Sequence, residues 1–217
     1  HSAINIGVQN ATWFKRQSYR LAMKVGETAA LKKMSHQRLS FLLWSINQLA
    51  SVTVFRKTKK LLGIDRARFA LSGAAQISTD VLRYFNALGV DIRESYGMTE
   101  TSSLISMHKD GNIRLGTCGE PLPGVEVKIG EDGEIIVRGD NVFQGYFKDE
   151  ENTKRTLVDG WLHTGDLGEI DEDGSLRITG RKKDVMITSG GKNVSPQYIE
   201  NLLKSSPYIV DGVVIGD

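Results

Sequence analysis

The chain has 217 residues, of which 40% are hydrophobic and 25% are charged, and this composition excludes a disordered or fibrous protein. Its net charge of +2 hides an asymmetry, because residues 1–70 hold 13 Lys and Arg against 2 Asp and Glu, whereas residues 71–217 hold 15 against 24. The basic part is predicted to meet an anionic surface, for which the acidic remainder of the same protein, a membrane and nucleic acid are the alternatives.

Cysteine content and hydropathy indicate the cellular context. The single cysteine, Cys118, excludes an intramolecular disulfide and fits a reducing compartment. The chain shows no signal-peptide pattern, so a cytoplasmic location is expected. The longest uncharged run, residues 39–55, is interrupted by polar residues and is shorter than the roughly 20 apolar residues of a membrane span. It predicts a buried helix or one that lies at a bilayer interface, with peripheral membrane contact.

The first half of the chain predicts helices followed by a strand–helix–strand unit. Apolar residues recur at helical spacing in residues 10–62, and they predict two helices with a polar bend near residues 34–37. Residues 68–71 then read as a strand, 79–88 as a helix capped by Ser78, and 90–94 as a second strand. Such a unit favours parallel pairing, with ligands at the strand ends.

The second half predicts short antiparallel strands. Alternating residues at 125–129 and 134–138 flank one turn, and those at 167–170 and 175–179 flank another. A helix is predicted from Pro196 to a point before Pro207, followed by a strand at 208–215. The predicted fold class is therefore mixed α/β (α+β), with a helical N-terminal part, a strand–helix–strand part, a small antiparallel β-barrel and the start of a small C-terminal α+β domain.

Four spaced motifs carry the residues that are most suited to chemistry. They are Ser72-Gly73-Ala74-Ala75, Tyr96-Gly97-Met98-Thr99-Glu100, Trp161-Leu162-His163-Thr164-Gly165-Asp166 and Gly180-Arg181-Lys182-Lys183-Asp184. The small residues of the first motif let a planar ring approach the backbone, although tight packing is the favoured explanation when this motif is taken alone. The second places an aromatic face, a hydroxyl and a carboxylate within five residues.

Each of the later motifs also has a functional and a structural interpretation. Asp166 follows a glycine, where an exposed carboxylate can accept both hydroxyls of a ribose. His163 suggests an acid or base, but a structural role is favoured. Lys182 and Lys183 on their own would indicate only a basic, solvated turn.

In order and spacing, the four motifs resemble the adenylate-forming (AMP-binding) superfamily, particularly the long-chain fatty acid CoA ligases, over about residues 71–217. The resemblance implies that Tyr96 stacks on adenine, that Thr99 and Glu100 act in catalysis at the α-phosphate and on Mg²⁺, and that Asp166 and Arg181 hold the ribose. It assigns ATP or AMP contacts to Gly73, Ala74, Ala75, Glu94, Ser95, Tyr96, Gly97, Met98, Thr99, Asp166, Ile178 and Arg181.

The resemblance also implies a division into domains. Residues 1–182 would belong to the large AMP-binding domain, as a helical part (1–65), an α/β part (66–110) and a barrel (111–182). Residues 183–217 would begin the small C-terminal domain, with Lys183 as the hinge. Coenzyme A contacts would come from Ser189, Gly190, Gly191 and Lys192. The segment from Gly139 to Tyr146 is expected to have a structural role, and its Gln144 stands where proline is common.

The implied activity is ATP-dependent conversion of a long-chain fatty acid to an acyl-adenylate and its transfer to coenzyme A, with fatty acid, ATP, Mg²⁺ and coenzyme A as small-molecule substrates and cofactors. A fatty acyl-AMP ligase that serves a carrier protein is the alternative, and a nucleic-acid-binding module is a distant one, so no nucleic-acid partner is expected. The 217 residues include neither the family's phosphate loop nor its C-terminal catalytic lysine. They are therefore expected to be an internal fragment that is inactive by itself and self-associates.

Overall fold

The computed structural model describes residues 12–74, 77–187, 193–204, 209 and 211–216. These residues divide into two compact units. The first contains the described residues of 1–71, 77–93 and 111–113, and the second contains those of 72–76, 94–110 and 114–217. The predicted boundary between residues 182 and 183 is a different division of the chain and stays a prediction.

The first unit is helical. Helix α1 covers Trp13–Met34 and ends with Lys32 and Lys33 in its last turn, where positive charge complements the helix dipole. Helix α2 covers Phe41–Ala50, and its N-cap hydroxyl, Ser40 Oγ, accepts a hydrogen bond from the Leu43 N–H at 3.3 Å. It continues through a π-helical turn, Ser51–Phe55, into helix α3, Arg56–Leu61. The two predicted helical stretches and the bend between them are confirmed.

Small residues let the helices of this unit approach closely. Helix α4 covers Thr79–Ala87 and packs on α1. A Cβ added at Gly26 would lie 2.2 Å from the carbonyl oxygen of Ala87. The hydroxyls of Tyr19 and Tyr84 share a hydrogen bond of 2.7 Å. Large apolar side chains of α2, including Phe41 and Leu42, are nevertheless exposed. None of the helices in the described ranges is long and apolar enough to span a bilayer.

A four-stranded sheet has the order β1–β2–β3–β4, with β1 at Ala70–Ser72, β2 at Ile92–Tyr96, β3 at Ser106–Met107 and β4 at Glu120–Pro121. The predicted strand–helix–strand order β1–α4–β2 is confirmed, but both strands begin two residues later than expected. Gly89, at φ +72°, terminates α4, and the Val90 N–H returns to the carbonyl of Phe85. This turn uses residues that were predicted to begin β2.

The second unit contains a five-stranded antiparallel sheet. Its strands are β5 (Val125–Ile129), β6 (Glu134–Gly139), β7 (Leu157–Val158), β8 (Trp161–Ile170) and β9 (Leu176–Arg181). Strand β6 pairs with β5 and β8, and β8 pairs on its other side with β7 and β9. The antiparallel arrangement is confirmed, but the described strands form an open sheet and not the predicted barrel. A closed barrel would require β5 to pair with the strand at the opposite edge of the sheet. That edge is formed by two separate strands, β7 and β9, which both pair with β8, and β7 is only two residues long.

The second unit has a core of buried aliphatic side chains, and its last elements are short strands and a helix. Ile135, Val137, Leu162 and Leu176 are fully buried together with Ile105. The helix Glu150–Thr156 (α5) precedes β7. Strands β10 (Met186–Ile187) and β11 (Asn193–Val194) pair antiparallel, and helix α6, Pro196–Lys204, begins at the predicted proline. Residues 209 and 211–216 have no regular structure, so the strand predicted at 208–215 is wrong at these positions.

Candidate active site

Tyr96 and Asp166 are brought together from β2 and β8. The Tyr96 ring is 9% exposed, and its hydroxyl donates to Asp166 Oδ2 at 2.7 Å. Burial, and then the charge of Asp166, raise the pKa of Tyr96, so the phenol stays protonated and remains a donor. The Asp166 N–H donates to Thr164 Oγ1 at 3.1 Å, and this hydroxyl donates to the Ile135 carbonyl at 2.8 Å. The carboxylate is therefore fixed from both its side chain and its backbone.

Arg181 contacts the other oxygen of the same carboxylate. Asp166 and Arg181 are paired across β8 and β9, and the Arg181 Nε donates to Asp166 Oδ1 at 3.1 Å. The Asp166 side chain is 15% exposed, and that of Arg181 is 57% exposed. Two of the predicted ribose-binding residues thus share one ion pair. A carboxylate held in this way keeps further lone pairs for the two hydroxyls of a sugar.

The segment after Tyr96 turns sharply. A 3₁₀ turn at Thr99–Thr101 is followed by Ser102 and Ser103, both with positive φ. Gly97 has no room for a side chain, because an added Cβ would lie 2.1 Å from the carbonyl oxygen of Ser103. Asn141 fixes the turn through hydrogen bonds from its side-chain amide to the carbonyls of Thr101 (3.2 Å) and Leu104 (2.7 Å).

Glu100 is contacted from the 139–146 segment, which was expected to be structural only. The Tyr146 hydroxyl donates to Glu100 Oε1 at 2.9 Å, and the Phe143 N–H donates to the Glu100 carbonyl at 2.8 Å. Thr99 is exposed, and Glu100 is half-buried. A hydroxyl and a carboxylate are therefore adjacent at the surface of the turn.

Glu94 is a buried carboxyl group at the start of the predicted nucleotide site. It is 6% exposed, and its Oε2 has no hydrogen-bond partner within the described parts of the chain. Burial raises the pKa of Glu94 to about 7, against the lowering effect of the Gly116 N–H. The Glu94 N–H donates to His108 Nδ1 at 3.2 Å. Burial also raises the pKa of Cys118 to about 12, so this thiol stays protonated at neutral pH.

The small-residue motif lies beside β2. The Ser95 hydroxyl donates to the Ser72 carbonyl at 3.3 Å, and a Cβ on Gly73 would lie 2.9 Å from Ser95 Oγ. Ala74 adopts a left-handed conformation with φ +65°. This placement leaves the backbone at 72–74 bare of large side chains.

Of the remaining predicted site residues, the structure describes three and leaves five outside the described ranges. Met98 and Ile178 are partly buried and pack against the core that contains Tyr96. Lys183 is exposed. Ala75, Ser189, Gly190, Gly191 and Lys192 lie outside the described residues.

Glu134 is a buried carboxylate that the sequence did not single out. Its Oε1 accepts from the Gly165 N–H at 2.8 Å, and its Oε2 accepts from His163 Nδ1 and Lys182 Nζ, both at 3.1 Å. Burial alone would raise its pKa, but these three hydrogen bonds lower it below the ordinary value. Glu134 therefore holds the backbone of the glycine before Asp166 and the side chain of His163.

The side chains that could bind a metal ion in this site are few. Within the described residues, no group of three or more His, Cys, Asp or Glu is placed to hold a metal ion. A single carboxylate, Glu100, still fits Mg²⁺, because this ion usually takes one or two protein carboxylates and completes its shell with phosphate oxygens and water. The chemistry of Glu100 and Thr99 therefore suits a metal that arrives with a nucleotide.

Residues 20–147 match the family described as AMP-binding enzyme, and the chain belongs to this family. The chain is 43% identical over 164 residues to Long-chain-fatty-acid–CoA ligase FadD15 of Mycobacterium bovis, and the alignment covers 76% of this chain and 27% of that protein. It is 36% identical over 219 residues to Long-chain-fatty-acid–CoA ligase ACSBG2 of Xenopus laevis, with 98% and 29% coverage. The chain thus spans less than a third of the length of these relatives.

Solved structures support the same class. The chain resembles O-succinylbenzoate Coenzyme A Synthetase (MenE) from Bacillus subtilis in complex with AMP, with a TM-score of 0.66 and 32% identity over 84% of this chain and 42% of that one. A structure of the same enzyme in complex with ATP and magnesium ion gives a TM-score of 0.64 at 32% identity, over 81% and 41%. The mixed α/β fold predicted from the sequence is confirmed.

Proposed function

We propose that this chain carries the nucleotide-binding part of a long-chain fatty acid CoA ligase. The observation that supports this most directly is the Tyr96–Asp166–Arg181 arrangement. Asp166, predicted to hold the ribose, is contacted on one oxygen by Tyr96, predicted to stack on adenine, and on the other by Arg181, the second residue predicted to hold the ribose. The names of the two relatives direct the proposal to long-chain fatty acids and coenzyme A.

Asp166 would accept the ribose hydroxyls, since its carboxylate is oriented before the nucleotide arrives. Tyr96 fixes one oxygen and Arg181 the other, so little side-chain entropy is lost on binding. The small backbone segment at Gly73 and Ala74 would flank the adenine, with Glu94 and Ser95 beside it. Burial keeps a large fraction of Glu94 protonated near neutral pH, which adds a hydrogen-bond donor at this end of the site.

Thr99 and Glu100 would act at the phosphate. The Thr99 hydroxyl is exposed, where it can donate to an α-phosphate oxygen, and Glu100 would bind Mg²⁺. When bound, the metal supplies neutralisation of phosphate charge.

The reaction follows from the poor electrophilicity of a carboxylate. An oxygen of the fatty acid attacks the α-phosphorus of ATP and pyrophosphate leaves, which gives the acyl-adenylate. The thiolate sulfur of coenzyme A then attacks the acyl carbon and AMP leaves. Positioning and charge neutralisation account for most of the catalysis in such transfers.

The two half-reactions would use two poses of the C-terminal domain, with the hinge at Lys183 and coenzyme A contacts at residues 189–192. Rotation of a domain about a few residues is a known way to separate successive steps. Lys182 is tied to Asp132 at 2.5 Å and to Glu134, so free rotation would begin after it. The basic helical unit, with exposed Phe41 and Leu42, would suit peripheral contact with a membrane that supplies the lipid substrate.

The test uses the full-length protein with acetate, benzoate and palmitate, each with and without coenzyme A. Palmitate-dependent pyrophosphate release and thioester formation are expected. Pyrophosphate release without any thioester would favour an acyl-AMP ligase, and no palmitate-dependent release would refute the proposal.

Two substitutions test the site assignment. Asp166→Asn and Glu100→Gln should each lower pyrophosphate release at least about 100-fold, the scale expected when a group that stabilises transition-state charge or position is lost. Glu172→Gln, at an exposed turn position, is the matched control and should retain activity. Retained release in both site variants would overturn the assignment.

A further inference from the structure

Tyr146 contacts the predicted metal ligand from a distant part of the chain. Its hydroxyl donates to Glu100 Oε1 at 2.9 Å, and the two residues are 46 positions apart in the sequence. Tyr146 belongs to none of the four motifs, and the segment that contains it was expected only to shape the sheet. The hydrogen bond gives this segment a direct connection to the chemistry.

The Tyr146 backbone is itself held in place. Its N–H donates to Thr153 Oγ1 at 2.9 Å, and the same hydroxyl donates to the Asp149 carbonyl at 2.7 Å. Gly145 has φ +143°, and an added Cβ there would lie 2.6 Å from Thr153 Cγ2, so only glycine allows this approach. The start of α5 thus positions the tyrosine.

A neighbouring residue also joins Tyr146 to Glu100. The rings of Phe143 and Tyr146 make an edge-to-face contact with centroids 4.8 Å apart and an interplanar angle of 74°. The Phe143 N–H donates to the Glu100 carbonyl at 2.8 Å. The segment therefore holds Glu100 twice, once through its backbone and once through its carboxylate.

Orientation of the carboxylate has a physical consequence for metal binding. A glutamate side chain has three rotatable bonds, and restricting them before binding reduces the entropy cost of holding a cation. A donor on Oε1 directs the other oxygen, Oε2, to act as a monodentate ligand.

We propose that Tyr146 is a positioning residue for Glu100, and that its hydroxyl orients the carboxylate to bind a divalent cation together with the nucleotide phosphates. This inference rests on the proposed function, in which Glu100 is the metal ligand. It assigns to the Gln144-Gly145-Tyr146 segment a role in metal affinity rather than in sheet shape alone.

The test measures metal and nucleotide affinity separately in the full-length protein. Mn²⁺ binding is followed by electron paramagnetic resonance in the presence of saturating α,β-methylene-ATP, and binding of the same analogue is measured by calorimetry in EDTA. Tyr146→Phe keeps the ring and removes only the hydroxyl. Because one net hydrogen bond is lost, Mn²⁺ affinity should fall about 3–10-fold, whereas analogue affinity in EDTA should stay within about twofold.

Tyr19→Phe is the matched control, since it removes a tyrosine hydroxyl that is hydrogen-bonded to Tyr84 in the helical unit. It should leave both affinities unchanged. Equal Mn²⁺ affinity in Tyr146→Phe and the unmodified protein would overturn the inference and leave the proposed function intact. An equal fall of both affinities would show a merely structural role and would also overturn it. If the unmodified protein binds the analogue but no nucleotide-dependent Mn²⁺, the metal assignment of Glu100 fails as well.

Discussion

Replacement of Glu134 by glutamine should destabilise the sheet that carries Asp166. The carboxylate is 7% exposed in its side chain and accepts hydrogen bonds from His163, Gly165 and Lys182. Glu134→Gln keeps the shape but removes the charge, and it turns an amide NH₂ toward at least one of these donors. The loss is therefore of polar pairing and not of packing volume.

The magnitude follows from the exposure of each partner. The side chains of His163 and Lys182 are 33% and 49% exposed, so the loss of each contact is discounted to about 0.5 kcal/mol. Exchange of a charged for a neutral acceptor at the buried Gly165 N–H costs about 1 kcal/mol, and the misplaced NH₂ costs a further ~0.5–1 kcal/mol. The total is about 2.5–3 kcal/mol, which corresponds to a fall of about 5–12 °C in the unfolding midpoint for a chain of this size.

Thermal unfolding followed by circular dichroism at pH 7 is the assay. Glu126→Gln is the control, because Glu126 forms an exposed pair with Arg138 and its replacement should leave the midpoint nearly unchanged. The pH dependence gives a second readout. Since folding lowers the pKa of Glu134, its contribution is full above the ordinary glutamate value of about 4.3 and is lost as the pH falls through the lower folded value. The difference between Glu134→Gln and the unmodified chain should therefore shrink at low pH. Equal midpoints for the two variants at pH 7 would refute the reasoning.

Two further substitutions test buried positions by urea unfolding. Because burial raises the pKa of Glu94 to about 7, its contribution to stability is full below about pH 4.3 and is lost as the pH rises through 7. Glu94→Gln should therefore raise the free energy of unfolding by up to about 3 kcal/mol at pH 8 and by almost nothing at pH 4. Equal effects at both pH values would contradict this. Gly97→Ala should cost about 2–4 kcal/mol, since its Cβ meets the Ser103 carbonyl at 2.1 Å. Gly111→Ala, which has open space but φ +72°, should cost only about 1 kcal/mol, and a similar loss in both would count against the steric argument.

Local patterns predicted local structure well. The alternation of Val125, Val127 and Ile129 identified β5 with its observed bounds, and Pro196 marked the start of α6. Strand β2 was displaced because Gly89 and the residues after it are used to leave the preceding helix. An alternating pattern of apolar residues shows which face of an element is buried, but it does not show how many residues the preceding turn needs.

Tertiary contacts account for what the sequence did not predict. Tyr96, Asp166 and Arg181 were each selected from a motif, but local sequence does not predict the hydrogen bonds that join them. The Asp166–Arg181 bond depends on the pairing of β8 with β9, and the Tyr96–Asp166 bond joins β2 to β8. Glu134 looked like one more charged residue at the start of a strand, and nothing local indicates that it is buried. Tyr146 was hidden for the same reason, because its partner Glu100 lies 46 residues away.

The wide separation of Tyr96 and Asp166 in the sequence has a consequence for when the candidate site is complete during synthesis and folding. The Tyr96–Asp166 hydrogen bond closes a segment of 70 residues, and contacts between such distant positions form after local helices and hairpins. A ribosome-bound chain lacks the complete pair until β8 has been synthesised and released. Under the proposed function, nucleotide would then bind and stabilise only chains that have finished folding, by mass action. Bound ATP would protect mature molecules from unfolding while leaving incomplete ones unprotected.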